Sequence, residues 1–217
     1  VIAEEAERCA CRLCGSPQCR EILRDKIRPY VQCESCGLTF VPEKYHINPQ
    51  EEQLRYGKHT NHKTDKQYVA YLSSIAADVL TLPVASPRIL DFGSGPEHVL
   101  ADILNEAGAS CAAHDPPYGL NAAGQHGSFD IIVACESIEH LRNLPREIRL
   151  ISGLLAPAGF VYMHTQLRDH VSDFAMWWYI VDVTHINFFC EKTMGTVAQM
   201  LGKRIVRTNG KDTVVLG

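Results

Sequence analysis

The stretch RILDFGSGPEHVL, residues 88–100, decides the fold. A short apolar run carrying one acid, Asp91, meets two glycines, Gly93 and Gly95, and then a helical pattern. RILDF reads as a β-strand. Beyond the turn, Val99, Leu100, Ile103 and Leu104 share one helical face, and Gly108 is placed to end that helix. A strand that passes into a helix through glycines marks the crevice at the carboxyl ends of the strands, where open α/β sheets bind ligands. Lacking Cβ atoms, Gly93 and Gly95 let a ligand lie against the main chain. A dinucleotide fingerprint would read G-x-G-x-x-G, but counted from Gly93 the third glycine's place holds His98.

Outward from this turn, strands and helices alternate. KQYVAYLSSIAADVLTL, before it, carries Val69, Leu72, Ile75, Ala76, Val79 and Leu80 at helical spacing and is closed by Pro83 and Pro87. After it, ASCAAHD reads as a second strand. FDIIVAC is apolar without alternation, as a strand buried on both faces must be. LPREIRLISGLLAPAG reads as a helix ended by proline and glycine, and FVYMHT as the next strand. Asn209-Gly210 lies between two β-rich runs and signals a hairpin. The predicted fold class is therefore α/β: a doubly wound, mostly parallel sheet with an antiparallel terminal hairpin.

The front of the chain differs. Nine cysteines are present, six of them before residue 37. CRLCGS and CESCGL place Cys11, Cys14, Cys33 and Cys36 in two C-x-x-C-G knuckles. Two thiolates three positions apart on a tight turn grip one ion, and four complete a closed tetrahedral shell, which predicts a structural zinc site with no open position for catalysis. Cys9 and Cys19 lack a matching spacing. The expected organisation is a zinc-ribbon module over 1–42, a helical cap or linker over 43–83, and a ligand-binding α/β domain over 84–217.

A formal net charge of -4 gives no general attraction to nucleic acid. Residues 8–66 nevertheless carry eleven Lys and Arg against seven Asp and Glu, so the front half suits either an anionic partner or an ordinary solvated surface. No apolar run reaches the length of a membrane helix, and the acidic start VIAEEAERCA is unlike a signal peptide; the expectation is a cytoplasmic protein without a membrane partner.

D-x-G-x-G at Asp91, Gly93 and Gly95 resembles the S-adenosylmethionine loop of class I methyltransferases. Asp115 at the end of the second strand, FDIIVACESIEHL, and LLAPAGFVYMHT follow in the order of that superfamily. With the C-x-x-C-G pair, RYGKHTN, VACESIEHL and YIVDVTHINFF, nearly the whole chain is similar to a family of small bacterial zinc-ribbon methyltransferases. One departure is Glu97, where many relatives have a small residue. It either faces the cofactor's carboxylate or points outward at a helix start, where acids are favoured.

The resemblance implies roles. Gly93 and Gly95 approach the methionine part of S-adenosylmethionine, Asp91 orients the loop or accepts from the amino group, and Asp115 holds the ribose. Tyr56 and His59 fold over the cofactor, or RYGKHTNH is only a mobile polar loop. Glu136 contacts cofactor or substrate, or is only a helix-start acid. His140, and His185 with Asp182 three residues before it, are the candidate catalytic bases, unless each merely fixes a loop. Trp177, Trp178 and Tyr179 line a substrate pocket or belong to the core. The expected activity is methyl transfer to a small molecule. The alternatives are an RNA methyltransferase that grips its substrate with the zinc module, and a binding protein that has kept the fold without the activity.

Overall fold

The computed structural model describes residues 9–56, 62–122 and 128–217. Strands β1 (Cys19–Arg24), β2 (Pro29–Cys33) and β3 (Thr39–Phe40) form an antiparallel ribbon. Helices α1 (Pro49–Tyr56) and α2 (Lys66–Val79) follow. The main layer then runs β4 (Arg88–Phe92), α3 (Val99–Glu106), β5 (Ser110–His114), β6 (Phe129–Cys135), α4 (Leu144–Leu154) and β7 (Leu155–His164). The chain closes with β8 (Asn187–Phe188), α5 (Glu191–Met200), β9 (Ile205–Thr208) and β10 (Thr213–Leu216).

The main sheet has the order β5-β4-β6-β7-β10-β9. Its first four strands are parallel; β10 runs antiparallel to both β7 and β9. This is a Rossmann-like α/β fold, with the hairpin at Asn209-Gly210 supplying the antiparallel edge.

Strand β6 shows why the sheet sits where it does. Ile131 and Val133 face a core with Leu72, Ile75 and Val79 of α2 and Leu100 and Leu104 of α3. Ile132 and Ala134 face the opposite core, with Ile148 and Ile151 of α4 and Met194 and Val197 of α5. An uninterrupted apolar run is required because both faces are covered. Three helices begin on side-chain caps: Asn48 accepts from the N–H of Glu51 for α1, Asp65 from those of Gln67 and Tyr68 for α2, and Asn143 from that of Arg146 for α4.

The segment LAPAG departs from the sequence expectation. Helix α4 stops at Leu154, and β7 already begins at Leu155, with an irregular register against β6 between Phe129 and Ile131. Pro157 disfavours helical backbone at Ala156. A Cβ on Gly159 would sit 2.9 Å from the Asp130 carbonyl oxygen, so the irregular stretch lies pressed against β6.

The ribbon is joined to the main domain rather than hung from it. β3 pairs with β8, which belongs to the later part of the chain. Tyr30 and Val41 pack in one cluster with Trp177, Tyr179, Ile180, Ile186 and Phe188. Among the described residues no helix is long and apolar enough to cross a membrane.

Candidate active site

The turns after β4, β5, β6 and β7 meet at one edge of the sheet. Gly93 has φ +83°, and its N–H donates to the His114 carbonyl (2.8 Å). A Cβ on Gly93 would lie 2.4 Å from Cβ of Ser137, whose hydroxyl donates to the Phe92 carbonyl (2.9 Å). Gly95, at φ +68°, has nothing within 4 Å of its missing Cβ, and its N–H donates to Asp115 Oδ2 (2.9 Å). The two glycines thus answer different demands: Gly93 admits the neighbouring turn, whereas Gly95 leaves main chain open beside Asp115.

Asp91 is buried, and its Oδ2 has no hydrogen-bond partner. Burial, with the Asp115 carboxylate adding to it, pushes the Asp91 pKa up to about 7. Burial also raises that of Asp115. The Glu97 carboxylate accepts from His62 Nδ1 (2.7 Å) and the Lys63 N–H (2.8 Å). Those bonds hold its carboxyl below the usual range.

Beyond β6 the backbone is strained. Glu136 has φ +46°, rare for a side chain with a Cβ, and His98 on the facing turn has φ +39°. The Glu136 N–H donates to the His164 carbonyl at the end of β7 (2.8 Å). Its carboxylate accepts from the hydroxyls of Tyr71 on α2 (3.1 Å) and Tyr179 (3.4 Å). Burial and the Glu139 carboxylate raise its pKa to about 8.

Glu139 is fully buried. Its Oε1 accepts from the Tyr179 hydroxyl (2.6 Å), its Oε2 has no hydrogen-bond partner, and burial raises its pKa. His140 Nδ1 lies 3.1 Å from the Thr184 carbonyl and His185 Nδ1 lies 2.7 Å from the Tyr179 carbonyl. The two rings meet edge to face at 4.8 Å. Burial depresses both imidazoles; at His185, His140 adds to the effect and the pKa falls to about 3.

Side chains from distant elements hold this turn. Asn187 Nδ2 faces the carbonyls of Ile138, Glu139 and Leu141, and its Oδ1 accepts from Arg12 of the first knuckle. Arg28, buried just before β2, donates to the carbonyls of Ile180, Asp182 and Val183. The ribbon therefore grips the segment that carries His185.

Of the sequence candidates, Asp91, Gly93, Gly95, Asp115, Glu136, His140 and His185 lie on this edge or the segment packed against it. Tyr56 ends α1, and His59 falls outside the described residues. Trp177 and Tyr179 are core residues, while Trp178 is exposed. Tyr71, Ser137, His164 and Asn187 carried no signal in the sequence; only His164, at the carboxyl end of a strand, stands where a signal could have been sought.

At the front, Sγ of Cys11 and Cys36 lie 3.5 Å apart, and Sγ of Cys14 and Cys33 3.7 Å. The hydrogen bond from Cys36 lowers Cys11 to about 5. Gly15 and Gly37, both at positive φ, close the knuckles with N–H bonds to the Cys11 and Cys33 carbonyls (2.9 Å each). Among the described residues two groups bring potential metal-ligand atoms within 4.8 Å of one another: these four cysteines, and Glu139 with His140 and His185.

Comparison with known proteins agrees with the fold. No curated protein matches the chain by sequence. The structure is similar to the mitomycin 7-O-methyltransferase (13% identity, TM-score 0.55, covering 78% of this chain and 57% of that one). A 1,6-didemethyltoxoflavin N1-methyltransferase from Burkholderia thailandensis, solved with 1,6-didemethyltoxoflavin and S-adenosylhomocysteine, is similar at 16% identity and TM-score 0.51 over 91% of this chain and 97% of its own. A methyltransferase of calicheamicin biosynthesis in an S-adenosylhomocysteine-bound form is similar at 13% identity and TM-score 0.53, with 77% and 57% covered. The chain thus spans little more than half the length of the mitomycin and calicheamicin enzymes. Residues 61–208, over half the chain, match the family described as a methyltransferase domain, and the chain belongs to that family.

Proposed function

We propose that this chain transfers a methyl group from S-adenosylmethionine to a small-molecule acceptor, and that Cys11, Cys14, Cys33 and Cys36 hold a structural zinc ion. The observation that carries the first part is the edge around Gly95: main chain open to space, Asp115 fixed on its N–H, and a buried Asp91 oxygen without a partner. A donor group brought to that oxygen would relieve an unpaired buried acceptor. Asp91, Gly93 and Gly95 would hold the methionine end and Asp115 the ribose. Glu136, His140 and His185 would stand on the acceptor side.

When bound, the cofactor supplies an electrophilic methyl carbon on a sulfonium. The chain's share is mainly positioning, since alignment of the reacting atoms at about 3 to 3.5 Å accounts for much of the rate. Tyr71 and Tyr179 steady Glu136 at the mouth. The Nδ1 bonds of His140 and His185 hold their rings in place.

Two observations favour a small acceptor over RNA. The ribbon is spent on internal packing: Arg12 and Arg28 bind backbone and Asn187 within the chain, and β3 is paired with β8. The structural neighbours also carry small-molecule names. For zinc, the sulfur separations match the edge of a tetrahedron about 3.8 Å long that four bonds of about 2.3 Å produce.

Calorimetry with S-adenosylmethionine and S-adenosylhomocysteine tests the cofactor; absence of binding overturns methyl transfer. Labelled cofactor incubated with protein and cell extract should mark the metabolite fraction, and label in RNA overturns the choice of acceptor. Elemental analysis should find zinc that is lost in Cys33→Ser.

A further inference from the structure

We propose that Glu139, His140 and His185 form a second metal site, distinct from the cysteine cluster, that binds a divalent transition-metal ion with open positions toward Glu136. The inference depends on the methyl-transfer reading only for what the ion does, not for its binding.

Geometry carries it. One potential ligand atom from each of the three residues lies within 4.8 Å of the others, and Glu139 Oε1 is 3.9 Å from His140 Nε2. Ligands on a shared ion at about 2.1 Å stand roughly 3 to 3.5 Å apart, so a contraction of at most about 1.3 to 1.8 Å closes the set. The tautomers are already those a metal needs. A carbonyl oxygen can only accept, so the bonds to Thr184 O and Tyr179 O place the ring protons on Nδ1, and each neutral ring has its lone pair on Nε2. Imidazoles oriented through the other nitrogen by a carbonyl are the usual outer support of metal-bound histidine.

The independent observation is Glu139 itself. It is fully buried, and its Oε2 accepts no hydrogen bond. A buried carboxylate with one oxygen left without a donor is costly, and a cation bound at Oε1, the oxygen 3.9 Å from His140 Nε2, would offset that cost. The turn is also built to hold its shape: Ile186 donates to the Glu139 carbonyl (3.0 Å), Asn187 faces the same carbonyl, and Tyr179 holds Oε1. Two imidazoles and one carboxylate suit zinc, cobalt, iron or nickel better than magnesium or calcium, which favour all-oxygen shells. Three protein ligands leave positions open, unlike four thiolates. Glu136, whose Oε2 shares the Tyr179 hydroxyl with Glu139, borders that open side. An ion there would take the oxygen of a hydroxylated acceptor and favour its deprotonated form; the O–H proton would go to water, an oxygen lone pair would form the bond to the methyl carbon, and the S–CH3 bond would break with its electron pair left on sulfur, giving the methyl ether and S-adenosylhomocysteine.

The test uses Co2+ with the full chain after its cysteine site has been filled with zinc. Wild type should take up one further equivalent by calorimetry, with visible bands typical of nitrogen and oxygen ligands and no thiolate-to-cobalt charge-transfer band. Glu139→Gln, which keeps an acceptor for Tyr179, and His185→Asn should each weaken Co2+ binding by more than about tenfold while retaining zinc. Matching thermal unfolding and S-adenosylhomocysteine binding in these variants separate loss of the ion from loss of the fold or of the cofactor site. Absence of the further equivalent in wild type, thiolate bands in its spectrum, or undiminished binding in Glu139→Gln overturns the proposal.

Discussion

Replacing Gly93 by alanine separates the two glycines of the β4 turn. At φ +83° an alanine is strained by about 1 to 2 kcal/mol. Its Cβ would also stand 2.4 Å from Ser137 Cβ, closer than real Cβ contacts come, and 3.0 Å from Ser137 Oγ. Overpacking of that kind costs a further 1 to 3 kcal/mol or so, giving a total of about 2 to 5 kcal/mol. Gly95→Ala carries the same order of backbone strain at φ +68° but meets nothing within 4 Å. Its destabilisation should stay near 1 to 2 kcal/mol, on the order of 2 to 8 °C in melting temperature for a chain of this size. Urea unfolding of the ligand-free protein measures both. Adding Ser137→Gly to Gly93→Ala should recover roughly 1 to 3 kcal/mol, although alone it costs about 1 kcal/mol through its lost bond to Phe92. Equal losses for Gly93→Ala and Gly95→Ala, or no recovery in the double variant, would refute the claim that the β6 turn imposes glycine at 93. S-adenosylhomocysteine titration adds the converse: Gly95→Ala should lose affinity out of proportion to its small loss of stability.

Two further outcomes follow from the buried acid and the ribbon. Asp91 ionises near 3.8 when unfolded and near 7 when folded, so between those values the unfolded chain holds fewer protons and stability falls as pH rises, by up to about 4 kcal/mol, then levels. Asp91→Asn should remove that slope in the ligand-free protein, and a pH-independent difference between variant and wild type would contradict it. Removing the zinc ion proposed at the four cysteines, or Cys33→Ser, should release the grip of Arg28 on residues 180–183, so hydrogen exchange should rise there and at Asn187–Phe188 as well as in the ribbon; exchange confined to residues 11–40 would show the ribbon to be independent.

The sequence by itself determined the local matters. The apolar run of FDIIVAC demands two covered faces, and β6 occupies those seven residues. The knuckle spacing brings four sulfurs together because the turns that do it are only a few residues long. Helix α5 carries little signal in the sequence, since Thr193, Gly195 and Thr196 are weak helix formers and the helix is sustained by burying Met194 and Val197 against the sheet. Only the tertiary structure decided that Ser137 fills the space beside Gly93 while Gly95 stays open, since those neighbours come from a strand forty residues away. It also decided that Glu139, His140 and His185 converge, and that Arg28 and Asn187 lock them, because these residues lie far apart in sequence (Arg28 and Val183 by 155 positions) and are brought together by tertiary contacts such as the pairing of β3 with β8. Local spacing can be read along a chain; a buried carboxylate left without a donor emerges only when distant segments exclude the water that would have paired it.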